Sequence, residues 1–321
     1  MSQPRQLSRR AALAGIGGAA VGVALGGCRC SAQRKARPVS KQSAGSSSAK
    51  RMPAVFLPHG GGPWPFIDER VFGLPGMWNK MREYMIKLAM APPEKPKAVL
   101  MISAHWEEAL PTVSSAKSPP MLYDYYGFPK ESYEVKWPAP GQPELAQTVR
   151  DLLERAGMTT RADDKRGFDH GTFVPLKLTY PNADMPTVQL SLMKSLDPRS
   201  HIAIGRALEP LRSQGVFIIG SGMSYHNLRE LFASMKRQQS VVNEDSKRFD
   251  AWLGEAMARD AAGRETALVE WQKAPSARAC HPREEHLLPL HVIAGAAGND
   301  AATLPYRDVV MGAHVSAVHF G

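Results

Sequence analysis

Cysteine is scarce in this sequence, and its scarcity excludes two kinds of site. Three cysteines occur in 321 residues, and of these only Cys280 lies beyond residue 51. Residues 52–321 therefore cannot contain an internal disulfide framework or a zinc site built from cysteine thiolates. All ten histidines of the chain lie in this part, so histidine is the first candidate for its chemistry.

The signature of a serine hydrolase is also missing. In lipases and esterases, a histidine followed by glycines, as in FLPHGGGP around His59, helps to form the oxyanion hole. Those enzymes also need a Gly-x-Ser-x-Gly turn to carry the nucleophile, and residues 52–321 contain none. The nearest segment, GSGMS at 220–224, has the wrong spacing for both serines. His59 is therefore predicted to have another role.

Acidic residues are absent from residues 1–51, which carry ten arginines and lysines. The net charge of +10 comes from this segment, because the other 30 basic residues of the chain are matched by 30 acidic ones in 52–321. A basic surface on the folded part would favour nucleic acid as a partner. Because the excess charge lies in a tail, no nucleic-acid partner is predicted.

Residues 1–28 have the layout of a signal peptide of the twin-arginine type. Arg9 and Arg10 precede a Gly- and Ala-rich apolar run that is too short and interrupted to favour a permanent membrane-spanning helix. The run ends in LGGC at 25–28, which resembles a bacterial lipobox, so Cys28 is predicted to be the lipid-bearing residue. The alternative is ordinary cleavage nearby, with Cys28 an incidental thiol.

Residues 29–51 are rich in Ser, Lys and Arg and lack large apolar side chains, so they are predicted to form a disordered tether. The two N-terminal segments together predict export by the twin-arginine route. They place the protein at the periplasmic face of a bacterial membrane, with possible attachment through a lipid on Cys28.

The remaining residues, 52–321, are predicted to fold as one α/β domain. MPAVFLPHG, KAVLMISAHW, PTVQLSL and GVFIIGSG are short apolar runs typical of buried strands. Residues 144–157 and 197–215 have helical periodicity and end in glycine. Strands that alternate with helices predict a mainly parallel central sheet flanked by helices, with a long Pro- and Tyr-rich loop at 111–143.

Three histidines follow three of the predicted strands. They are His59, His105 and His226. Ligands of open parallel sheets bind beyond the carboxyl ends of the strands, so these side chains can converge on a metal or acid–base cluster. Four other histidines are interpreted as core or surface residues: His201, His291, His314 and His319.

Two further histidines are candidates for the same site. His286 lies in ACHPREEHLLPL, where Pro282 favours a helix beginning near Arg283 that would bring Glu285 or His286 to the site. The spacing of this segment does not match the zincin motifs. His170 lies in GFDHGTFVPL, in a Gly-flanked loop before an apolar segment.

These motifs occur in the order in which class III extradiol ring-cleavage dioxygenases carry them. FLPHGGGP, ISAHW, GFDHGTFVPL, PTVQLSL, IGSGMSYHNLR and PREEHLLPL together resemble the DOPA 4,5-dioxygenase branch of that family. The resemblance covers about 52–321, and DYYGFP and WPAPG resemble the same branch. It implies a catalytic domain that inserts both atoms of O2 into a DOPA-like catechol.

The resemblance also implies roles for the histidines. The metal ligands of this branch correspond to His59, His105, His226 and His286, and a histidine of the substrate and oxygen pocket corresponds to His170. In the wider family two histidines and a glutamate hold the metal. Glu285 then competes with His286, and His226 becomes an acid–base residue.

The implied cofactor is one divalent metal ion per subunit, Zn2+ or Fe2+. Fe(II) suits oxygen activation, whereas zinc does not change oxidation state. A free imidazole, the role assigned to His170, can take up and return the catechol proton. The sequence has HGGGP after His59 where the family usually has HGSP. Two alternatives stay open, a non-oxygenase binding or signalling member of the same fold and a zinc-dependent hydrolase.

Overall fold

The computed structural model describes residues 50–72, 75–237 and 241–321. The predicted signal peptide, with Cys28, lies outside the described residues, and so does the predicted tether except for Lys50 and Arg51. The predictions made for those segments therefore remain sequence-based.

One sheet organises the described residues. Its strands are β1 (Ala54–Pro58), β2 (Ala98–Glu108), β3 (Thr112–Ser114), β4 (Arg161–Asp163), β5 (Thr187–Met193), β6 (Val216–Gly222), β7 (Ala302–Val310) and β8 (Ala313–Phe320). Their order across the sheet is β4-β3-β5-β2-β6-β1-β8-β7. The four central strands, β5, β2, β6 and β1, run parallel to one another, and each outer member of this group has an antiparallel neighbour, β3 or β8. The predicted mainly parallel α/β fold is confirmed.

The central strands form because their residues can be buried on both faces. Every residue of β1 and of β6 is buried, and so are the first seven residues of β2. Continuous runs of Val, Ile, Leu and Phe suit such a position, because helices cover both faces of a parallel sheet. These strands correspond to the apolar runs from which the sheet was predicted.

Nine helices pack around the sheet in the described part of the chain. They are α1 (Asn79–Lys87), α2 (Pro143–Arg155), α3 (His170–Thr179), α4 (Pro198–Leu208), α5 (Leu228–Arg237), α6 (Glu244–Met257), α7 (Ala261–Val269), α8 (Ala277–Cys280) and α9 (Leu288–Ala297). Short 3-10 helices lie at Glu69–Phe72, Leu88–Met90, Lys130–Glu134, Glu209–Gln214 and Trp271–Lys273. Among the helices described, none is long and apolar enough to cross a membrane.

The strands at the two edges of the sheet were not predicted from the sequence. β3 and β4 have only three residues each. β7 and β8 form an antiparallel hairpin, and exposed residues interrupt the buried ones along β7. Short or half-exposed strands carry a weak hydrophobic pattern, which explains why β3, β4 and β7 were not predicted. β8 is largely buried, but His314, Ser316 and His319 interrupt its apolar residues.

The predicted helix start near Arg283 is wrong. Residues 282–284 form bends and 285–287 a turn, and α9 begins at Leu288 with Pro289 in its first turn. A hydrogen bond holds this segment beside the end of β6, where the two backbones approach closely. Met223 donates its backbone N–H to the carbonyl oxygen of His286 at 3.0 Å, and a Cβ at Gly222 would lie only 2.1 Å from that oxygen.

A buried arginine ties together the amino ends of the central strands. Arg212 is fully buried, and its N–H groups donate to the carbonyl oxygens of residues 52, 296, 297 and 320. Its guanidinium also pairs with Asp300 at 2.7 Å, and Asp300 is shared with Arg51. We call Arg212, Asp300 and Arg51 the arginine cluster.

Candidate active site

Five histidines meet at the carboxyl ends of β1, β2 and β6. His59 follows β1, His105 lies near the end of β2, and His226 follows β6. His170 is the first residue of α3, and His286 precedes α9. The structure therefore brings together every histidine that the sequence analysis selected, and we call the five the histidine cluster.

The centre of this cluster is formed by His59, His105 and His286. One ring nitrogen from each of them lies within 4.8 Å of the other two. The Nε2 atoms of His59 and His105 face each other at 3.0 Å. His59 and His286 are buried, and 20% of the His105 side chain is exposed. The three rings could hold a metal ion between them.

His170 and His226 lie on either side of these three rings. The His170 ring centroid is 3.9 Å from that of His105, and the His226 ring stacks on His286 with centroids 3.3 Å apart. Geometrically, His226 groups with His286 and Glu285 as potential ligands rather than with His59 and His105.

A carboxylate that sequence reasoning missed connects His170 with His105. Asp124 accepts hydrogen bonds from the backbone N–H of His170 at 2.9 Å and from its Nδ1 at 2.8 Å. Its other oxygen lies 3.4 Å from Nδ1 of His105. Asp124 belongs to the DYYGFP segment, which the sequence analysis used only as a family motif. That segment was the signal that could have identified it.

Glu285 makes the equivalent connection on the other side. Its Oε1 lies 3.0 Å from Nδ1 of His226 and 2.9 Å from Nδ1 of His286. Its Oε2 lies 3.4 Å from Arg283, which pairs with Glu107 at the surface. Each of the two carboxylates thus holds one central histidine and one flanking histidine.

Burial determines the charges of these groups. It lowers the pKa of His59, His105 and His286 well below the ordinary value, and the neighbouring histidines lower it further. Burial also opposes ionisation of Asp124 and Glu285. Hydrogen bonds from His170 and His226 outweigh that effect, so the pKa of both carboxyl groups is lowered. The centre consists of neutral imidazoles beside ionised carboxylates.

The glycines after His59 fit the loop to the segment that carries Asp124. Gly62 has φ of +50°, a backbone conformation that favours glycine, and a Cβ there would lie 2.9 Å from the ring of Phe128. Phe128 follows Asp124 by four residues in the same segment. The HGGGP loop therefore packs closely against the segment that carries Asp124 and Phe128.

The histidine inside α4 takes no part in the cluster. His201 accepts the backbone N–H of Met193 at Nε2, and its Nδ1 is bonded to the carbonyl oxygen of Asp197. Both ring nitrogens are used in local backbone contacts, which agrees with a structural role.

Comparison with known proteins assigns this arrangement to a family. Residues 77–319 match the family described as the catalytic LigB subunit of aromatic ring-opening dioxygenase. The 4,5-DOPA dioxygenase extradiol of Beta vulgaris is 43% identical over 210 residues, which cover 65% of this chain and 76% of that protein. The protein of the same name from Escherichia coli (strain K12) is 34% identical over 272 residues, which cover 83% of this chain and 93% of the relative.

Two further similarities extend over most of the chain. The dioxygenase tasH of Hapsidospora irregularis is 37% identical over 279 residues, which cover 84% of this chain and 85% of that protein. The crystal structure of an uncharacterized Escherichia coli K12 protein superposes with a TM-score of 0.66 at 30% identity, covering 84% of this chain and 100% of the other. The resemblance inferred from the motifs is confirmed: the chain belongs to the LigB family and is an extradiol dioxygenase that opens aromatic rings.

Proposed function

We propose that the histidine cluster holds one divalent metal ion on His59, His105 and His286, and that the enzyme cleaves a DOPA-like catechol. The observation that supports this most strongly is the convergence of three neutral imidazoles from three separate segments, with one nitrogen of each within 4.8 Å of the others. The names of the relatives from Beta vulgaris and Escherichia coli support the choice of a DOPA-like substrate.

The donor set fits such an ion. Nδ1 of His105 faces Asp124 and Nδ1 of His286 faces Glu285. An ionised carboxylate only accepts hydrogen bonds, so in each ring Nδ1 carries the hydrogen and Nε2 keeps a lone pair. The lowered pKa of these rings keeps that lone pair free of a proton near neutral pH. Neutral imidazole is a common ligand of Fe(II) and Zn(II).

This scheme favours His286 over Glu285 as the third ligand. Glu285 is engaged by the Nδ1 atoms of His226 and His286, and it accepts both contacts on one oxygen. We therefore assign Glu285 to orienting the two rings. His226, bonded to Glu285 and stacked on His286, is assigned an acid–base role beside the ligands.

Bound at this centre, Fe(II) would supply the open coordination positions and the redox chemistry that a catechol and dioxygen require. The chain itself would handle the protons. His170 donates Nδ1–H to Asp124 at 2.8 Å, which leaves its Nε2 as a base for a catechol hydroxyl proton. Asp124 would stabilise the imidazolium that forms, and the ring would return the proton when the cleaved product forms.

The test is oxygen uptake by the full chain. Protein loaded anaerobically with Fe(II) is expected to consume O2 and produce a yellow product from L-DOPA, and protein loaded with Zn(II) serves as the control. Absence of uptake with L-DOPA, dopamine and 4-methylcatechol, with iron confirmed bound, would refute the proposed activity.

We also propose that the protein is exported and lipid-anchored at the periplasmic face of a bacterial membrane. The support is the Arg9–Arg10 pair and the LGGC sequence that ends at Cys28. Replacing both arginines by lysine is expected to keep the protein in the cytoplasm, and Cys28→Ser should abolish labelling by radioactive palmitate. Palmitate labelling that survives in Cys28→Ser would contradict the anchor.

A further inference from the structure

We propose that Ser221 is the positioning residue that makes His59 a metal ligand, by fixing which of its ring nitrogens carries the hydrogen. The proposal rests on the proposed metal site and concerns this chain's own residues. Ser221 lies in β6 and is fully buried. Its hydroxyl makes two contacts, one to Nδ1 of His59 at 2.9 Å and one to the carbonyl oxygen of Gly171 at 2.5 Å.

The direction of the second contact follows from the sequence of α3. The carbonyl of Gly171 lies in the first turn of that helix, where it would normally accept the N–H of the residue four positions later. That residue is Pro175, which has no N–H to donate. The Gly171 carbonyl is therefore without its helical partner, and the Ser221 hydroxyl supplies the missing hydrogen bond.

The direction of the first contact follows from counting hydrogens. A serine hydroxyl has one hydrogen, and Ser221 donates it to Gly171. Towards His59 the oxygen can then only accept, so Nδ1 of His59 must carry the ring hydrogen. A neutral imidazole has one N–H, so Nε2 of His59 keeps a lone pair, and this nitrogen faces Nε2 of His105 at 3.0 Å.

The position of this hydrogen decides whether Nε2 of His59 and Nε2 of His105 form a hydrogen bond with each other or both keep a lone pair. Asp124 already leaves Nε2 of His105 with a lone pair. If His59 carried its hydrogen on Nε2, the two rings would form a hydrogen bond and neither nitrogen would be available to a metal. With the hydrogen held at Nδ1 by Ser221, two lone pairs converge at 3.0 Å. In that arrangement both nitrogens are available to a cation placed between them.

Ser221, which has the wrong spacing to be a hydrolase nucleophile, therefore orients the ring of His59. Ser221 also connects His59 to the residue next to His170, since Gly171 follows His170 in α3. Partners that orient a metal-bound histidine in this way typically change metal affinity by about 10- to 100-fold when they are removed.

The experiment compares Ser221→Ala with Ser191→Ala in the full chain. Ser191 is a matched control, because it is equally buried in the neighbouring part of the sheet but accepts the backbone N–H of Thr112 instead of contacting the site. Dissociation constants for Zn(II) and Co(II) are measured by chelator competition, and circular dichroism checks the fold. Ser221→Ala is expected to weaken binding of both ions by about 10- to 100-fold, and Ser191→Ala to leave it unchanged.

A second measurement does not depend on the folding of a variant. In metal-free wild-type protein, 15N NMR of the histidine rings distinguishes the Nδ1–H tautomer from the Nε2–H tautomer, and His59 is expected in the Nδ1–H form. Finding His59 as the Nε2–H tautomer, or unchanged metal affinity in folded Ser221→Ala, would overturn the role of Ser221. Loss of affinity in Ser221→Ala, without oxygen uptake from L-DOPA by the iron-loaded wild type, would refute the proposed activity on a DOPA-like catechol and leave the role of Ser221 standing.

Discussion

The histidine cluster and the arginine cluster lie at opposite ends of the central strands, and they differ in how their groups are partnered. At the amino ends of the strands, Arg212 donates its N–H groups to four carbonyl oxygens and to Asp300. At the carboxyl ends, neutral histidines face each other, with His59 and His105 only 3.0 Å apart. The arginine cluster is paired through hydrogen bonds and ion pairs of its own, whereas the proposed tautomers of the histidine cluster direct nitrogen lone pairs toward a metal ion.

This difference separates stability from function. A buried charge is tolerated when every donor and acceptor around it is paired. Removing one member leaves its partners buried without a hydrogen bond, which lowers the free energy of unfolding. A cluster of neutral rings avoids buried charge and keeps its lone pairs for a ligand. The arginine cluster is therefore expected to govern unfolding, and the histidine cluster to govern metal binding and turnover.

The largest effect is expected from His59→Ala. Removal of one of the three central rings should abolish stoichiometric metal retention and reduce oxygen uptake with L-DOPA to background. Metal content by atomic absorption and oxygen-electrode rates measure both quantities. The control is His314→Ala, a partly exposed histidine of β8, which should keep metal and activity. Full metal content in His59→Ala would remove His59 from the ligand set.

His170→Ala should separate proton transfer from metal binding. We expect kcat to fall by about 10²- to 10⁴-fold, the range typical of a lost acid–base group, with metal content unchanged. Steady-state kinetics and metal analysis on the same preparation test this. An unchanged kcat would refute the acid–base role, and loss of metal would instead make His170 a ligand.

Arg212→Met should affect the opposite end of the sheet. Breaking a buried ion pair by removing one partner costs about 3–5 kcal/mol, and this loss should appear in the free energy of unfolding in urea. Metal affinity of the folded protein should be unaffected. Arg206→Met is the matched control, because Arg206 pairs with Glu265 at the surface at 2.7 Å and such pairs contribute about 0–1 kcal/mol. Equal losses in the two variants would contradict the comparison.

Metal should stabilise the fold only through the histidine cluster. At a free metal concentration 100 times the dissociation constant, the free energy of unfolding is expected to rise by about 2.7 kcal/mol. Arg212→Met should retain this increase and His59→Ala should lose it. An equal increase in His59→Ala would show that the ion binds elsewhere.

Acidification should distinguish the two clusters by the pH at which each loses stability. The pKa of His59, His105 and His286 is lowered in the folded state, so in metal-free protein the unfolded chain takes up protons first as pH falls below about 6.5. Each histidine should then cost up to about 1.4 kcal/mol per pH unit. The pKa of Asp300 is also lowered, mainly through Arg212 against the opposing effect of burial, so its contribution is lost only below about pH 4.

The measurement is metal-free unfolding between pH 7 and pH 5. His59→Ala should show a shallower slope than the wild type, and Arg212→Met should show the same slope from a lower starting value. A wild-type stability that is flat over this interval would contradict the neutral state of the central histidines.

The sequence supported those parts of the structure that have a local pattern. Long buried strands such as β2 and β6 can be predicted from their continuous apolar runs. Because His59, His105 and His226 follow such runs in the sequence, the three were predicted to meet at one edge of the sheet. Asp124 was missed because it lies in an irregular loop, and only the folded chain shows that it reaches His170. Arg212 was missed for a related reason, since its partners come from three distant segments.

The start of α9 was predicted at the wrong residue because a long-range contact decides it. Pro282 gave a plausible helix start, yet the backbone of residue 286 is held to β6 by Met223, and Pro289 takes the first turn instead. A contact between distant segments therefore overrode a local preference. The sequence does not show that Ser221 contacts His59 and Gly171, so its role could not be inferred before the fold was known.

The three central histidines lie directly after the first strand, near the end of the second strand and in the turn before α9. A chain still being synthesised contains His59 and His105 long before His286 exists, and those two residues are themselves 46 positions apart. In the proposed site, tight metal binding would therefore depend on contacts between distant segments, which are slow to form in folding. The fraction of protein that carries metal should consequently serve as a quality check on complete folding, because a truncated or partly folded chain lacks the third nitrogen.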